Sequence, residues 1–318
     1  MKKVLITATN YETLCADGLK MLKDYGCEVV MNRNSRMFTR EEMLAAVSDI
    51  DGLIAHGEVW DDELFDMAPN LKVIARFGVG YDSIDLEAAK RHSVHVTNCP
   101  GINSNAVAEM TVTLLMALIR EIPRLNRSQK QGVWSRTIFN ELPGKRIGIL
   151  GFGAIGQKTA KKLKGFGTDI IVYNRSLKTE LAEALGVSIT TDLDEVLHTS
   201  DYILIHLPVT PETKNIINDA NIAKMKDGAY VINTARAPLV DEKAMYDALV
   251  SGKLRGYATD VYNKEPADIS NPLFSLPNFI GTPHSAGETY ENYRDTGIAT
   301  ARAVIDVFDG REPWHLLV

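Results

Sequence analysis

Three glycines are the first residues in this sequence whose type and spacing point to chemistry. Residues 147–156 read IGILGFGAIG, which sets Gly151, Gly153 and Gly156 in the pattern G-x-G-x-x-G. An apolar β-branched run precedes them and a helix-forming stretch follows, so they occupy a strand-to-helix turn. There the first glycine permits the sharp bend, the second leaves room for a pyrophosphate against the backbone, and the third lets helix and strand pack closely. Ala154 and Ile155 complete the motif and open the helix, whose N-terminal amides attract an anion. The next apolar run ends Val172-Tyr173-Asn174-Arg175-Ser176, and Asn174 stands eighteen positions past Gly156. Dinucleotide sites that take NAD carry an acid at ~20 positions, for the ribose hydroxyls. Asparagine in its place removes repulsion toward a 2′-phosphate, while Arg175 and Ser176 supply a charge and a hydroxyl to bind one. These residues predict NADP(H) in preference to NAD(H).

Three further segments put polar side chains just beyond apolar runs, where ligands meet an open α/β sheet. They are Asn233-Thr234-Ala235-Arg236, then Asp260 followed by Glu265-Pro266, then Thr282-Pro283-His284-Ser285-Ala286-Gly287. Taken singly, each has a bland explanation: a surface arginine, an acid in a turn, a structural histidine.

The elements that must position these groups are short β-branched runs alternating with helical-period segments, the pattern of βα units around a parallel sheet. One series has strand candidates at 4–9, 27–31, 52–56, 71–78 and 94–98. A second, more continuously apolar series lies at 145–153, 169–174, 202–207, 229–235, 254–261 and 278–283, as expected where helices cover both sheet faces. Thr39-Arg40-Glu41-Glu42 reads as a helix start. Long helices are predicted over about 104–120 and 288–308. The expected domains are therefore 1–97 plus 289–318, and a continuous block 98–288 inserted between them.

Composition agrees with an ordinary globular protein: 318 residues, 45% hydrophobic, 24% charged, formal net charge −6. The acidic balance makes nucleic acid a poor partner, because phosphate neutralisation needs a basic face. No apolar stretch approaches the ~18 residues of a membrane span, and polar Thr7, Thr9 and Asn10 cut short the apolar start, so a cytoplasmic location with no membrane contact is expected. Cys15, Cys27 and Cys99 have neither metal nor redox spacing, so no metal site is expected.

Taken together and in order, the motifs RFGVGYDSID (76–85), NCPGINSNAVAE (98–109), LGFGAIG (150–156), HLPVTPET (206–213), NTARAPLVDE (233–242) and the His284 segment resemble the D-isomer-specific 2-hydroxyacid dehydrogenase family over nearly the whole chain. The nearest branch is similar to phosphoglycerate dehydrogenases and glyoxylate/hydroxypyruvate reductases. The resemblance implies two doubly wound parallel-sheet α/β domains, a Rossmann cofactor domain inserted into a flavodoxin-like substrate domain. It implies a catalytic triad of Arg236, Glu265 and His284 acting on a small 2-oxo or 2-hydroxy acid. His284 would be the general acid, Glu265 would orient and charge it, and Arg236 would hold the substrate carboxylate. It also implies that His206, Pro208, Thr213, Thr234, Asp260 and Gly287 line the cofactor, with Asp260 at the nicotinamide carboxamide. Gly57 and the Gly78-Val79-Gly80 turn would meet the substrate, the turn through backbone amides.

One departure bears on substrate. After the third strand many relatives carry a hydroxyl- and Arg-rich loop, whereas this chain reads His56-Gly57-Glu58-Val59. An unpaired acid beside a phosphorylated substrate is unfavourable, so reduction of glyoxylate or hydroxypyruvate is the leading expectation. D-3-phosphoglycerate dehydrogenase is the alternative within the class, and a non-catalytic dinucleotide-sensing protein the alternative outside it. Relatives imply a homodimer; the apolar helix at 104–120 either crosses a two-fold axis or belongs to the core.

Overall fold

The computed structural model describes residues 1–34, 36–134 and 136–318. The chain forms two compact units, one built from Met1–Asn103 with Glu288–Val318 and the other from Ser104–Gly287. Residues 98–103 group with the first unit rather than the second. The cause is local: Asn98 Nδ2 donates to Val79 O at 2.8 Å and Cys99 N to Gly78 O at 2.9 Å, tying the exit of the fifth strand to the turn after the fourth.

The first unit holds strands β1 (Lys3–Ile6), β2 (Glu28–Met31), β3 (Gly52–Ala55), β4 (Val73–Arg76) and β5 (His95–Thr97). They form a parallel sheet in the order β2-β1-β3-β4-β5. Alternate residues serve opposite faces, as the strand repeat dictates. Val4, Ile6, Ile54 and Val73 pack beneath helices Ala16–Asp24 and Tyr290–Phe308, with Leu22 and Val304 fully buried. Leu5, Leu53 and Ile74 face the opposite layer, where Trp60 and Phe65 are the largest fillers. The helix expected at Thr39 is there: Thr39 and Glu42 form a reciprocal capping box at the start of Arg40–Ala46.

The second unit holds β6 (Arg146–Leu150), β7 (Asp169–Tyr173), β8 (Ser188–Thr190), β9 (Tyr202–Ile205), β10 (Ala229–Asn233), β11 (Leu254–Thr259) and β12 (Phe279–Gly281). All are parallel, in the order β12-β11-β10-β9-β6-β7-β8. The order reverses between β6 and β9, which is the Rossmann arrangement. The two doubly wound parallel sheets expected from the sequence are thus present. β8 was not anticipated, since its edge position leaves Ile189 as its one apolar residue.

Helix Ser104–Ile119 belongs to this unit's core. Its Leu114, Leu115 and Leu118 lie among Ile147, Leu163 and Leu204, so its apolar face is filled within the chain. Leu204 on the central strand β9 is 0% exposed. Leu204→Ala should therefore destabilise this unit by about 2–5 kcal/mol, read as a lower urea midpoint of its unfolding transition; an unchanged midpoint would contradict the packing described.

Candidate active site

The glycine turn follows β6 and opens helix Ala154–Lys164. Gly151 has φ +104°, and a Cβ on it would lie 2.5 Å from His206 O; on Gly156 a Cβ would lie 2.2 Å from Gly151 O. Any other residue at either position would push the turn apart. A Cβ on Gly153 would meet nothing within 4 Å, so the middle of the turn is open space. The helix has no acid in its first turn and three lysines in its last, which leaves its positive end uncompensated at the opening. This is the geometry that accepts a pyrophosphate.

Asn174, at the end of β7, is used at both ends of its amide. Oδ1 accepts Phe152 N at 3.1 Å, and Nδ2 donates to Ser176 O at 2.7 Å. The side chain therefore locks the glycine turn to the Arg175-Ser176 turn, a bracing role that the residue type did not announce. Arg175 and Ser176 are exposed, and the positive charge of Arg175 reaches the neighbouring 206–213 turn. There Glu212 is held below its ordinary value, chiefly by a hydrogen bond from Thr210 and also by Arg175. Lys178, which no motif marks, reaches Phe152 O at 3.2 Å and brings a cation to the glycine turn.

His206 follows β9. Its backbone N donates to Leu150 O at 2.7 Å, while both ring nitrogens are buried without a hydrogen-bond partner. Burial pushes its pKa down to about 3, so the ring is neutral. Pro208 and Thr213 close the same turn, with Thr213 Oγ1 donating to Pro208 O at 2.7 Å.

Three adjacent strands deliver the polar segments. Thr234 and Arg236 follow β10, Asp260 follows β11, and His284 follows β12; neighbouring strands lie ~4.8 Å apart, so these groups share one edge of the sheet. Asn233, fully buried, accepts Ala235 N at 3.0 Å through Oδ1 and donates to Arg236 O at 2.9 Å, fixing the arginine's backbone. Thr234 Oγ1 lies 2.7 Å from Thr111 Oγ1 on the core helix. Glu265 and His284 are in contact: the carboxylate accepts Tyr262 N at 3.0 Å on one oxygen and meets His284 Nδ1 at 2.7 Å on the other. A carboxylate can only accept, so Nδ1 carries the hydrogen and Nε2 is the nitrogen left for other chemistry.

Asp260 does more than the resemblance implies. It is 1% exposed, and its carboxylate accepts Thr282 Oγ1 at 2.6 Å, Ser285 N at 2.9 Å and Ala286 N at 2.8 Å. Those bonds bracket His284, which sits at φ +51°, a conformation that costs energy for a residue with a Cβ. Gly287 ends the bracketed loop and the unit.

In the first unit, Gly57 follows β3, and Gly78, Val79 and Gly80 follow β4. Gly78 has φ +138°, and a Cβ there would strike the Arg76 guanidinium at 2.4 Å. The carbonyls of Gly78 and Val79 accept from Cys99 N and Asn98 Nδ2. Because a trans peptide points its N–H opposite to its C=O, the amides of Val79 and Gly80 face the other way, as an anion-binding turn requires. Among the described residues no group of three or more His, Cys, Asp or Glu could hold a metal ion, and no helix is long and apolar enough to cross a membrane.

Asp260→Asn would present an N–H group to at least one of three donors. It should speed hydrogen exchange at Ser285 and Ala286 and lower kcat/KM about 100-fold by displacing His284, and unaltered exchange would refute the bracket. His206 generates a pH prediction. Between its ordinary value of 6.5 and about 3 the unfolded chain binds a proton that the folded chain does not, so stability falls as pH is lowered through that window. The His206 ring resonances should show no titration between about pH 5 and 8, and His206→Gln should flatten the acid decline.

A family model described as "D-isomer specific 2-hydroxyacid dehydrogenase, NAD binding domain" matches residues 112–286. A D-3-phosphoglycerate dehydrogenase of Methanocaldococcus jannaschii is 40% identical over 98% of this chain, which spans 58% of that protein's length. A glyoxylate reductase of Thermofilum pendens is 38% identical, with 93% of this chain and 89% of that protein covered. A crystal structure of a Thermus thermophilus protein, 34% identical, superposes with a TM-score of 0.91 over 99% of this chain and 100% of that one. With the glycine turn, the Glu265–His284 pair and two parallel sheets in place, the chain belongs to the D-isomer specific 2-hydroxyacid dehydrogenase family.

Proposed function

We propose that this chain is an NADP(H)-preferring D-2-hydroxyacid dehydrogenase that reduces a small 2-oxo acid of the glyoxylate or hydroxypyruvate type. The observation that carries this reading is the 2.7 Å contact between Glu265 and His284 Nδ1. It fixes the imidazole and leaves Nε2 on a half-exposed side chain, free to deliver a proton to a developing alkoxide. Arg236, permanently charged and planar, holds the substrate carboxylate and polarises the carbonyl. In the first unit, the Val79 and Gly80 amides are neutral donors suited to a carboxylate. A bound nicotinamide dinucleotide supplies the hydride. The unit Ser104–Gly287 serves as dinucleotide domain, and Met1–Asn103 with Glu288–Val318 as substrate domain.

Preference for the 2′-phosphate rests on Asn174 in place of an acid, with Arg175, Ser176 and Lys178 around it. A homodimer belongs to the same reading. Helix Ile122–Lys130 buries no residue, and Trp134 and Ile138 stand 79% and 95% exposed, an apolar surface for a second copy to cover. The three buried, unpaired cysteines suit a reducing compartment such as the cytoplasm.

D-3-phosphoglycerate dehydrogenase is the second reading, favoured by the Methanocaldococcus relative's name and disfavoured by Glu58 in the loop after β3. One set of assays separates the readings. Glyoxylate or hydroxypyruvate should drive NADPH oxidation with kcat/KM at least about tenfold above NADH, and His284→Ala should lower it by about 10²–10⁴. A clear NADH preference would remove the 2′-phosphate assignment. Tight dinucleotide binding with no turnover of any 2-oxo acid would replace the enzyme by a sensor.

A further inference from the structure

We infer that Glu58 is a specificity-determining residue for the third carbon of the substrate: it selects a 2-oxo acid whose C3 carries a neutral hydroxyl and rejects one whose C3 carries phosphate or a second carboxylate. The inference rests on the dehydrogenase reading above and adds the substrate class to it.

The strand order of the first sheet reverses between β1 and β3, and open α/β sheets take their ligands beyond the carboxyl ends of the strands at such a reversal. Glu58 spans that point. Its Oε2 accepts the Thr7 hydroxyl, just past β1, at 2.8 Å, and the His56 amide, just past β3, at 3.1 Å. The residue is 7% exposed, and its other oxygen, Oε1, is buried with no hydrogen-bond partner. Among the described residues no lysine or arginine pairs with it. A shielded acceptor left bare is uncommon in folded proteins and calls for a donor that no group of the protein supplies. A hydroxyl is such a donor. A phosphate or carboxylate is an anion facing another acid where little water screens the two, which is repulsive.

The loop's neighbour across the sheet is the Gly78–Gly80 turn after β4, and adjacent parallel strands lie ~4.8 Å apart. A three-carbon acid whose carboxylate rests on the Val79 and Gly80 amides is long enough for its C3 substituent to reach the loop after β3. At Gly57 no side chain intervenes, and a Cβ there would meet only Met37 Sδ, at 3.1 Å.

The two donors on Oε2 dictate what Glu58→Gln does. The amide oxygen keeps both bonds by taking the place that faces the Thr7 hydroxyl and the His56 N–H, which sets the amide nitrogen where Oε1 was; the opposite orientation leaves the His56 N–H to Thr7 Oγ1 alone, at 3.0 Å. An acceptor becomes a donor with almost no change in volume, and the rejection of phosphate should weaken.

The test is calorimetric titration of the NADP⁺-saturated protein with D-glycerate and with 3-phospho-D-glycerate, beside reduction of hydroxypyruvate and glyoxylate. The wild type should bind glycerate at least about tenfold more tightly than its phosphorylated form. Glu58→Gln should shrink that ratio at least about tenfold, and Glu58→Asp, which keeps the acid, should retain the rejection of phosphate. Equal affinities in the wild type, binding of neither acid, or an unchanged ratio in folded Glu58→Gln overturns the assignment. Should Glu58→Gln fail to fold, the wild-type ratio and Glu58→Asp decide it. Selective glycerate binding without turnover of any 2-oxo acid removes the dehydrogenase reading and leaves Glu58 as assigned, whereas a reductase indifferent to the C3 substituent removes the Glu58 assignment alone.

Discussion

Everything chemical at the edge of the second sheet depends on one buried carboxylate. Asp260 collects two backbone amides and a hydroxyl from the loop after β12, and those three bonds hold His284 in a left-handed backbone conformation that it would not adopt unaided. Charge-assisted hydrogen bonds are about twice as strong as neutral ones, which is why an aspartate rather than an asparagine suits the place. Its own backbone N donates to Asn233 O, so the strand that delivers Arg236 and the loop that delivers His284 are joined through the same residue. Glu265 then fixes the ring while Asp260 fixes the backbone.

A parallel sheet makes this economical. Strands β10, β11 and β12 all end at one edge, so an arginine, an aspartate and a histidine far apart in sequence are brought to the same side of the sheet. The glycine turn and the neutral His206 lie at the same edge, on either side of the reversal between β6 and β9. The first sheet repeats the logic on a smaller scale, with Thr7, Glu58 and the Gly78–Gly80 turn after three neighbouring strands.

Much of this was legible in the sequence because it is local. Apolar β-branched runs located eleven of the twelve strands, with ends overrun by a few residues where the apolar character continues past the ladder; Phe77, for example, still donates to Ala55 O beyond the end of β4. The glycine spacing located the turn after β6. What stayed hidden was long-range. The hold of Asp260 on the His284 loop could not be read, because its partners lie more than twenty residues on. The Thr7–Glu58 bond spans 51 positions, so the loop could be read as acidic but not as buried. Asn174 was read for its missing charge, whereas its two amide groups are spent bracing the turn. Lys178 lay in plain view just before helix Thr179–Leu185, and its proximity to the glycine turn was the missing fact.

The interrupted first unit also has a temporal consequence. Helix Tyr290–Phe308 covers one face of its sheet, over Val4, Ile6 and Ile54, yet it is synthesised after the whole of Ser104–Gly287. On the ribosome the inserted unit can complete its own core first, while strands β1–β5, made before it, wait with an apolar face open to water. Residues 1–103 are thus the part most dependent on chaperone protection during synthesis, because they emerge well before the helix that covers them.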